Sequence, residues 1–182
     1  FGEMLVFQRL LRQLGDPMEE LALLMSKIDD TIATVFRQIS MNRFEESMHI
    51  ARRNEGELTT ERFSELWKTE QEKLYGTSVE LTPEYSQWWC YIPHFLHTPG
   101  YVYAYAFGEL LVLALYEEYQ RKPEGFADRY LTLLEAGGSE WPHQLIARMG
   151  LDIQDSEFWQ KGLASFERMI LRAEELYTQV KH

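Results

Sequence analysis

The chain has 182 residues, 45% of them hydrophobic and 14% aromatic, with 18 Lys and Arg against 29 Asp and Glu for a formal net charge of −11. That is enough apolar material for a single domain, residues 1–182, with a sizeable core, and the acidic excess excludes non-specific binding to nucleic acid, which needs cations on phosphates, and to an anionic membrane surface. One cysteine, Cys90, excludes an internal disulfide and fits a reducing cytoplasm. No apolar run reaches the length of a membrane span, the nearest, Leu110 to Tyr116, closing on Glu117 and Glu118. No signal-peptide pattern is visible at the start.

Phe1 to Leu14 reads as an amphipathic helix, with Met4, Phe7, Leu10, Leu11 and Leu14 at helical spacing. It opens in full helical rhythm without an initiator Met or a cap, which suggests a sequence cut from a longer chain; a processed or disordered tail would look the same. Gly15-Asp16-Pro17 breaks it, and a long Leu-, Met- and Ile-rich helix follows from Pro17 to about Ala51, ending at Arg52-Arg53-Asn54-Glu55-Gly56. Thr59 or Thr60 caps a helix to Tyr75 that Gly76 stops, and Thr82-Pro83 opens a short helical turn holding Trp88 and Trp89. A central helix runs from Pro99 to Arg121, capped by Thr98 with Pro99 in its first position. Lys122-Pro123-Glu124-Gly125 forms a turn, and Phe126 to Leu134 a short helix closed by Gly137-Gly138. Ser139 caps another to about Met149, and Asp155 or Ser156 caps the last, to about Val180, with Phe158, Leu163, Phe166, Ile170, Ala173 and Leu176 inward. No period-two run appears, so the class is all-α, with seven or eight helices of uneven length.

Chemistry concentrates between Pro93 and Glu109. This stretch holds His94, His97, Tyr101, Tyr103 and Tyr105. On a helix Tyr101 and Tyr105 share a face and Tyr103 points roughly opposite. Two phenols beside an imidazole read as hydrogen-bond donors gathered around something polar; ordinary buried aromatics at the start of a core helix would give the same pattern. Two Glu-x-x-His pairs, Glu46 with His49 and Glu140 with His143, have the spacing of a di-iron carboxylate bundle, although exposed pairs explain them as well. His94 and His97 are spaced for one metal if helical, but Pro99 disfavours helix at Thr98. Cys90, between Trp89 and Tyr91, reads as a small buried hydrophobe.

Four stretches resemble the C-terminal part of the oligoendopeptidase F family of zinc peptidases: Phe1-Gly2-Glu3-Met4; Leu74-Tyr75-Gly76; Ile92-Pro93-His94-Phe95 with Tyr101-Val102-Tyr103-Ala104-Tyr105-Ala106; and Leu134-Glu135-Ala136-Gly137-Gly138-Ser139 with Gly150-Leu151-Asp152. The likeness spans nearly the whole chain, and the His/Tyr block is its most specific part. The resemblance implies a zinc-dependent hydrolase of short peptides in the cytoplasm, whose His-Glu-x-x-His and third ligand would lie upstream of Phe1. The departure is severe, since every zinc ligand is then missing from this chain. Glu3 would accept a hydrogen bond from a zinc-bound imidazole, His94 and Tyr103 would contact substrate, and Tyr101 and Tyr105 would be catalytic, one donating to the developing oxyanion. On this reading the isolated chain binds no zinc, is inactive and self-associates through the face its upstream portion should cover. A non-catalytic helical scaffold that kept the fold is the alternative, and a di-iron bundle a third.

Overall fold

The computed structural model describes residues 1–181. Among them are nine α-helices, one π-helical turn and one 3-10 segment, without a strand. The all-α expectation holds. The chain divides into two compact units: Asp30–Gly108, and a discontinuous unit formed by Phe1–Asp29 with the residues from Glu109 onward.

The discontinuous unit is built on α1 (Gly2–Gln13), most of α2 (Pro17–Thr31), the later turns of α6 (Tyr103–Arg121), α7 (Phe126–Ala136), α8 (Pro142–Ala147) and α9 (Ser156–Val180). Asp155 caps α9, its carboxylate accepting from the Glu157 amide at 2.9 Å. Phe166, Met169, Ala173 and Leu176 recur along one stripe of α9 and are buried against Met4 and Phe7 of α1, Leu24 and Ile28 of α2, and Leu113 and Tyr116 of α6. Leu163 and Ile170, also expected inward, are only partly buried. A smaller cluster joins Leu115, Phe126 and Met149, with the Phe1 ring 4.6 Å from Tyr130 and 5.4 Å from Phe126. Where α9 passes α6, a Cβ on Gly162 would stand 2.9 Å from the Leu110 carbonyl oxygen, so only glycine permits this approach. Ser139 does not cap α8 as expected. That helix starts at Pro142, a proline in its first position, after Trp141, whose amide donates to Gln144 Oε1 at 3.1 Å.

The long helix expected from Pro17 continues through the π-helical turn Ile32–Phe36 into α3 (Arg37–Glu55). The turn follows Thr31, a buried residue whose hydroxyl has no hydrogen-bond partner. Thr59 caps α4 (Thr60–Tyr75), its hydroxyl accepting from the Arg62 amide at 3.3 Å. The 3-10 segment Pro83–Tyr91 docks on α4 through two indoles: Trp67 donates to the Tyr85 carbonyl at 3.1 Å and Trp89 to Ser64 Oγ at 3.3 Å. Cys90, next to the inward Trp89, is exposed rather than buried. Met41, Phe44, Trp67, Ile92, Phe95 and Val102 form this unit's core, with the Phe44 ring edge-on to Trp67 at 5.3 Å and tilted on Phe95 at 5.2 Å. Between Phe95 and Val102 lies part of the stretch rich in histidine and tyrosine. α5 (His94–His97) is a single turn, and α6 begins at Tyr103 rather than at Pro99. Thr98 takes φ −143°, ψ 62°, outside the helical region as a residue before proline should be. Gly100 then takes φ +73°, which turns the chain instead of starting a helix.

Candidate functional site

Phe95 and Val102 are sunk in the core of the Asp30–Gly108 unit, and residues 96–101 between them are exposed. That arrangement presents the ring of His94 to those of Tyr101 and Tyr105. His94 Nε2 lies 3.2 Å from the Tyr105 hydroxyl. The Tyr101 ring is parallel to the imidazole, with centroids 6.2 Å apart and 4° between planes, and edge-on to Tyr105 at 5.5 Å. The two phenols meet although Tyr101 precedes α6, so the contact comes from the Gly100 turn and not from helical spacing. Nor are they buried, as the core reading required: Tyr101 is 47% and Tyr105 38% exposed. When His94 Nε2 carries the proton it donates to the Tyr105 oxygen, which leaves the phenol hydrogen for a ligand. When Nε2 is bare, the phenol donates to it. The turn is tied to α3 by one strong bond, from the Gly100 amide to Glu45 Oε1 at 2.6 Å. Tyr103, on the first turn of α6, is 53% exposed and about 200° of helical rotation from Tyr105.

The other motifs do not gather. Glu46 pairs with Arg43 at 2.8 Å, and Glu140 precedes α8 and pairs with Arg148, so neither Glu-x-x-His carboxylate converges with a second one. Among the described residues, no three or more His, Cys, Asp or Glu side chains stand together as a metal would require. No helix among them is long and apolar enough to cross a membrane.

Glu3 lies in the other unit, on α1. Its Oε1 accepts from Lys27 Nζ at 2.9 Å, and Lys27 also faces Glu109 Oε1 at 3.1 Å. Burial works against the charge on Lys27, but the bond to Glu3 and the charge of Glu109 outweigh it and raise its pKa; Lys27 in turn lowers that of Glu3. The raised Lys27 pKa contributes stability that is full below the ordinary lysine range and is lost as pH rises through the folded value. The lowered Glu3 pKa contributes stability above the ordinary carboxylate value, lost as pH falls through the folded one. The Glu3 side chain is 79% exposed and that of Glu109 18%, so solvent screens the first pair more. Urea denaturation at neutral pH should show Glu109→Gln costing about 1–3 kcal/mol, since it removes the negative charge that faces a partly buried ammonium, and Glu3→Gln under about 1 kcal/mol. Sequence reasoning passed over Lys27 and Glu45. Glu45 had a signal: it sits on the apolar stripe of Met41, Phe44, Met48 and Ala51, where a carboxylate must find a donor.

Residues 1–165 match the model of peptidase family M3. The plasmid-encoded oligoendopeptidase F of Lactococcus lactis subsp. cremoris is 31% identical over 181 residues, covering 100% of this chain and 30% of its own length. Oligopeptidase PepF of Bacillus subtilis is 31% identical, covering 99% of this chain and 27% of its own. The crystal structure of oligoendopeptidase-F from Enterococcus faecium superposes with a TM-score of 0.89 at 29% identity, over 97% of this chain and 34% of that one. The chain therefore spans about a third of the length of the relatives it matches. These similarities favour a peptidase segment over a scaffold or a di-iron bundle.

Proposed function

The chain belongs to peptidase family M3, and from that premise we propose that it is the C-terminal helical portion of a cytoplasmic, zinc-dependent oligopeptidase that hydrolyses short peptides. Among the described residues no group of three ligating side chains gathers, and on this proposal the zinc ligands belong to an upstream portion of the same polypeptide, this chain's principal partner. Its own contribution is made by side chains that bind and polarise the substrate.

The observation that carries this reading is the three-ring cluster of His94, Tyr101 and Tyr105, solvent-facing and bonded through its hydroxyl and imidazole. As the scissile carbonyl becomes tetrahedral its oxygen gains negative charge, and a preorganised phenol donor offsets that charge. The phenol does so without ionising, since its ordinary pKa is about 10. Tyr101 and Tyr105 take this role, one of them as the donor. His94 hydrogen-bonds the peptide backbone, and Tyr103 contacts a neighbouring part of the substrate. Glu3, one oxygen held by Lys27, accepts with the other from an imidazole of the zinc ligand set.

The test is hydrolysis of short peptides by the full-length zinc-loaded protein, expected to be robust for peptides and negligible for folded proteins. Failure to cleave any short peptide overturns the reading. The chain alone should show no peptidase activity and should lose added zinc on dialysis against a mild chelator, measured by metal analysis, because catalytic zinc needs three protein ligands. Stoichiometric zinc after dialysis would contradict the assignment of the ligands to another portion.

A further inference from the structure

Glu45 is out of place by composition. It lies mid-way along α3, 3% exposed, between the core residue Phe44 and Met48, which is partly buried against that core. A buried carboxylate is costly unless donors meet it. One oxygen is met by the Gly100 amide at 2.6 Å, from 55 residues away; the other is buried with no hydrogen-bond partner. The imidazole of His49, one turn along α3, stands with Nε2 3.9 Å from Oε1 and half of its side chain exposed. So the carboxylate is not held for an ion pair. Its strong contact is with the turn that carries Tyr101.

That turn needs holding. Residues 96–101 are exposed between two core anchors, and its other bonds are local: Thr98 amide to His94 carbonyl at 3.0 Å, and Tyr101 amide to Thr98 carbonyl at 3.2 Å. Local bonds shape a turn but do not fix where it lies against the helix beneath it. Gly100 also has the left-handed φ that turns the chain on to Tyr101 while its amide faces Glu45. The residue after it is Tyr101, whose ring lies parallel to His94.

We infer that Glu45 is a positioning residue, a buried carboxylate latch that holds the Pro99–Gly100 turn on α3 and so sets the place of Tyr101 against His94 and Tyr105. The inference rests on the reading of those three rings as the substrate-contacting cluster, but the latch is tested without activity. Amide hydrogen exchange and ring resonances of the chain, followed by NMR, report it directly. In the unsubstituted chain the Gly100 amide should be protected although Gly100 is exposed. Glu45→Ala should speed its exchange about ten- to a hundred-fold, the worth of a hydrogen bond to a charged group, and move the His94 and Tyr101 ring resonances while the amides of α4 keep their protection. Glu45→Gln keeps an acceptor oxygen and should restore much of that protection. Should Glu45→Ala not fold, Glu45→Asp draws the carboxylate back by about one bond length, ~1.5 Å, and should show the same loss. Unchanged Gly100 exchange in the folded variants, or lost protection with unmoved His94 and Tyr101 resonances, overturns the latch. In the full-length peptidase the Glu45→Ala change should lower kcat/KM about tenfold with zinc content unchanged and Glu45→Gln should recover part of it; equal activity of all three would overturn the positioning role. Failure of the cluster's catalytic role is read separately, from the tyrosine substitutions, and leaves the exchange result as it stands.

Discussion

In the full-length peptidase, at least one of Tyr101→Phe and Tyr105→Phe should lower kcat by about 10²–10³-fold, or about 3–4 kcal/mol, the usual cost of one lost oxyanion donor. Phenylalanine keeps each ring and its stacking, so the change isolates the hydroxyl. A bond made only in the transition state lowers kcat and kcat/KM together and leaves KM nearly constant. Tyr105 is hydrogen-bonded to His94, whereas Tyr101 touches it only through its ring face. Phe at position 105 therefore also frees the imidazole, and His94→Ala should act mainly on KM. Steady-state kinetics on a short fluorogenic peptide, with zinc content checked, decides the matter. If Tyr101→Phe, Tyr103→Phe and Tyr105→Phe all keep full turnover with zinc bound, the cluster is packing.

The helical class, most helix ends and side-chain caps such as those at Thr59 and Asp155, each one of two adjacent candidates, were legible because they depend on neighbours within a few residues: apolar period, cap oxygens, Gly stops. The start of α6 was not. Thr98-Pro99 has the composition of a cap and first turn, but the tie from Gly100 to Glu45 fixes that segment as a turn, and a contact across 55 residues leaves no local trace. Ser139 lost its role for a local reason, the proline start at Pro142, whereas Cys90 was left exposed once Trp67 and Trp89 had taken the inward positions. His94, Tyr101 and Tyr105 do stand together, but a shared helical face is not what joins Tyr101 to the other two, since it precedes the helix. Lys27 illustrates the converse. Nothing in its own helix marks it, and only folding brings Glu3 and Glu109 to it from either side.

Gly162→Val should be strongly destabilising, costing about 3 kcal/mol. Glycine inside a helix ordinarily weakens it, by about 1 kcal/mol against alanine, so a glycine in the middle of a 25-residue helix calls for a reason. The reason is the crossing of α9 over α6, where a Cβ would meet the Leu110 carbonyl oxygen at 2.9 Å and both the Ala114 nitrogen and the Leu113 Cβ at 3.4 Å. The first two are backbone atoms of a packed helix and cannot swing aside as a side chain would. Leu113 is itself fully buried against α9, so the helices must separate, and overpacking of this kind costs about 1–3 kcal/mol, occasionally more. Alanine at 162 sets a helix-propensity gain of about 1 kcal/mol against that cost and should come out destabilising by a smaller margin. Gly108, on the same helix α6, supplies the control: nothing lies within 4 Å of where its Cβ would stand. Gly108→Ala should therefore stabilise, by up to about 1 kcal/mol. Urea or thermal denaturation of the three variants should give opposite signs for the two alanines, with valine at 162 lowest of all. Equal shifts at 162 and 108 would mean that the α6–α9 crossing tolerates a Cβ, and that Gly162 is no packing requirement.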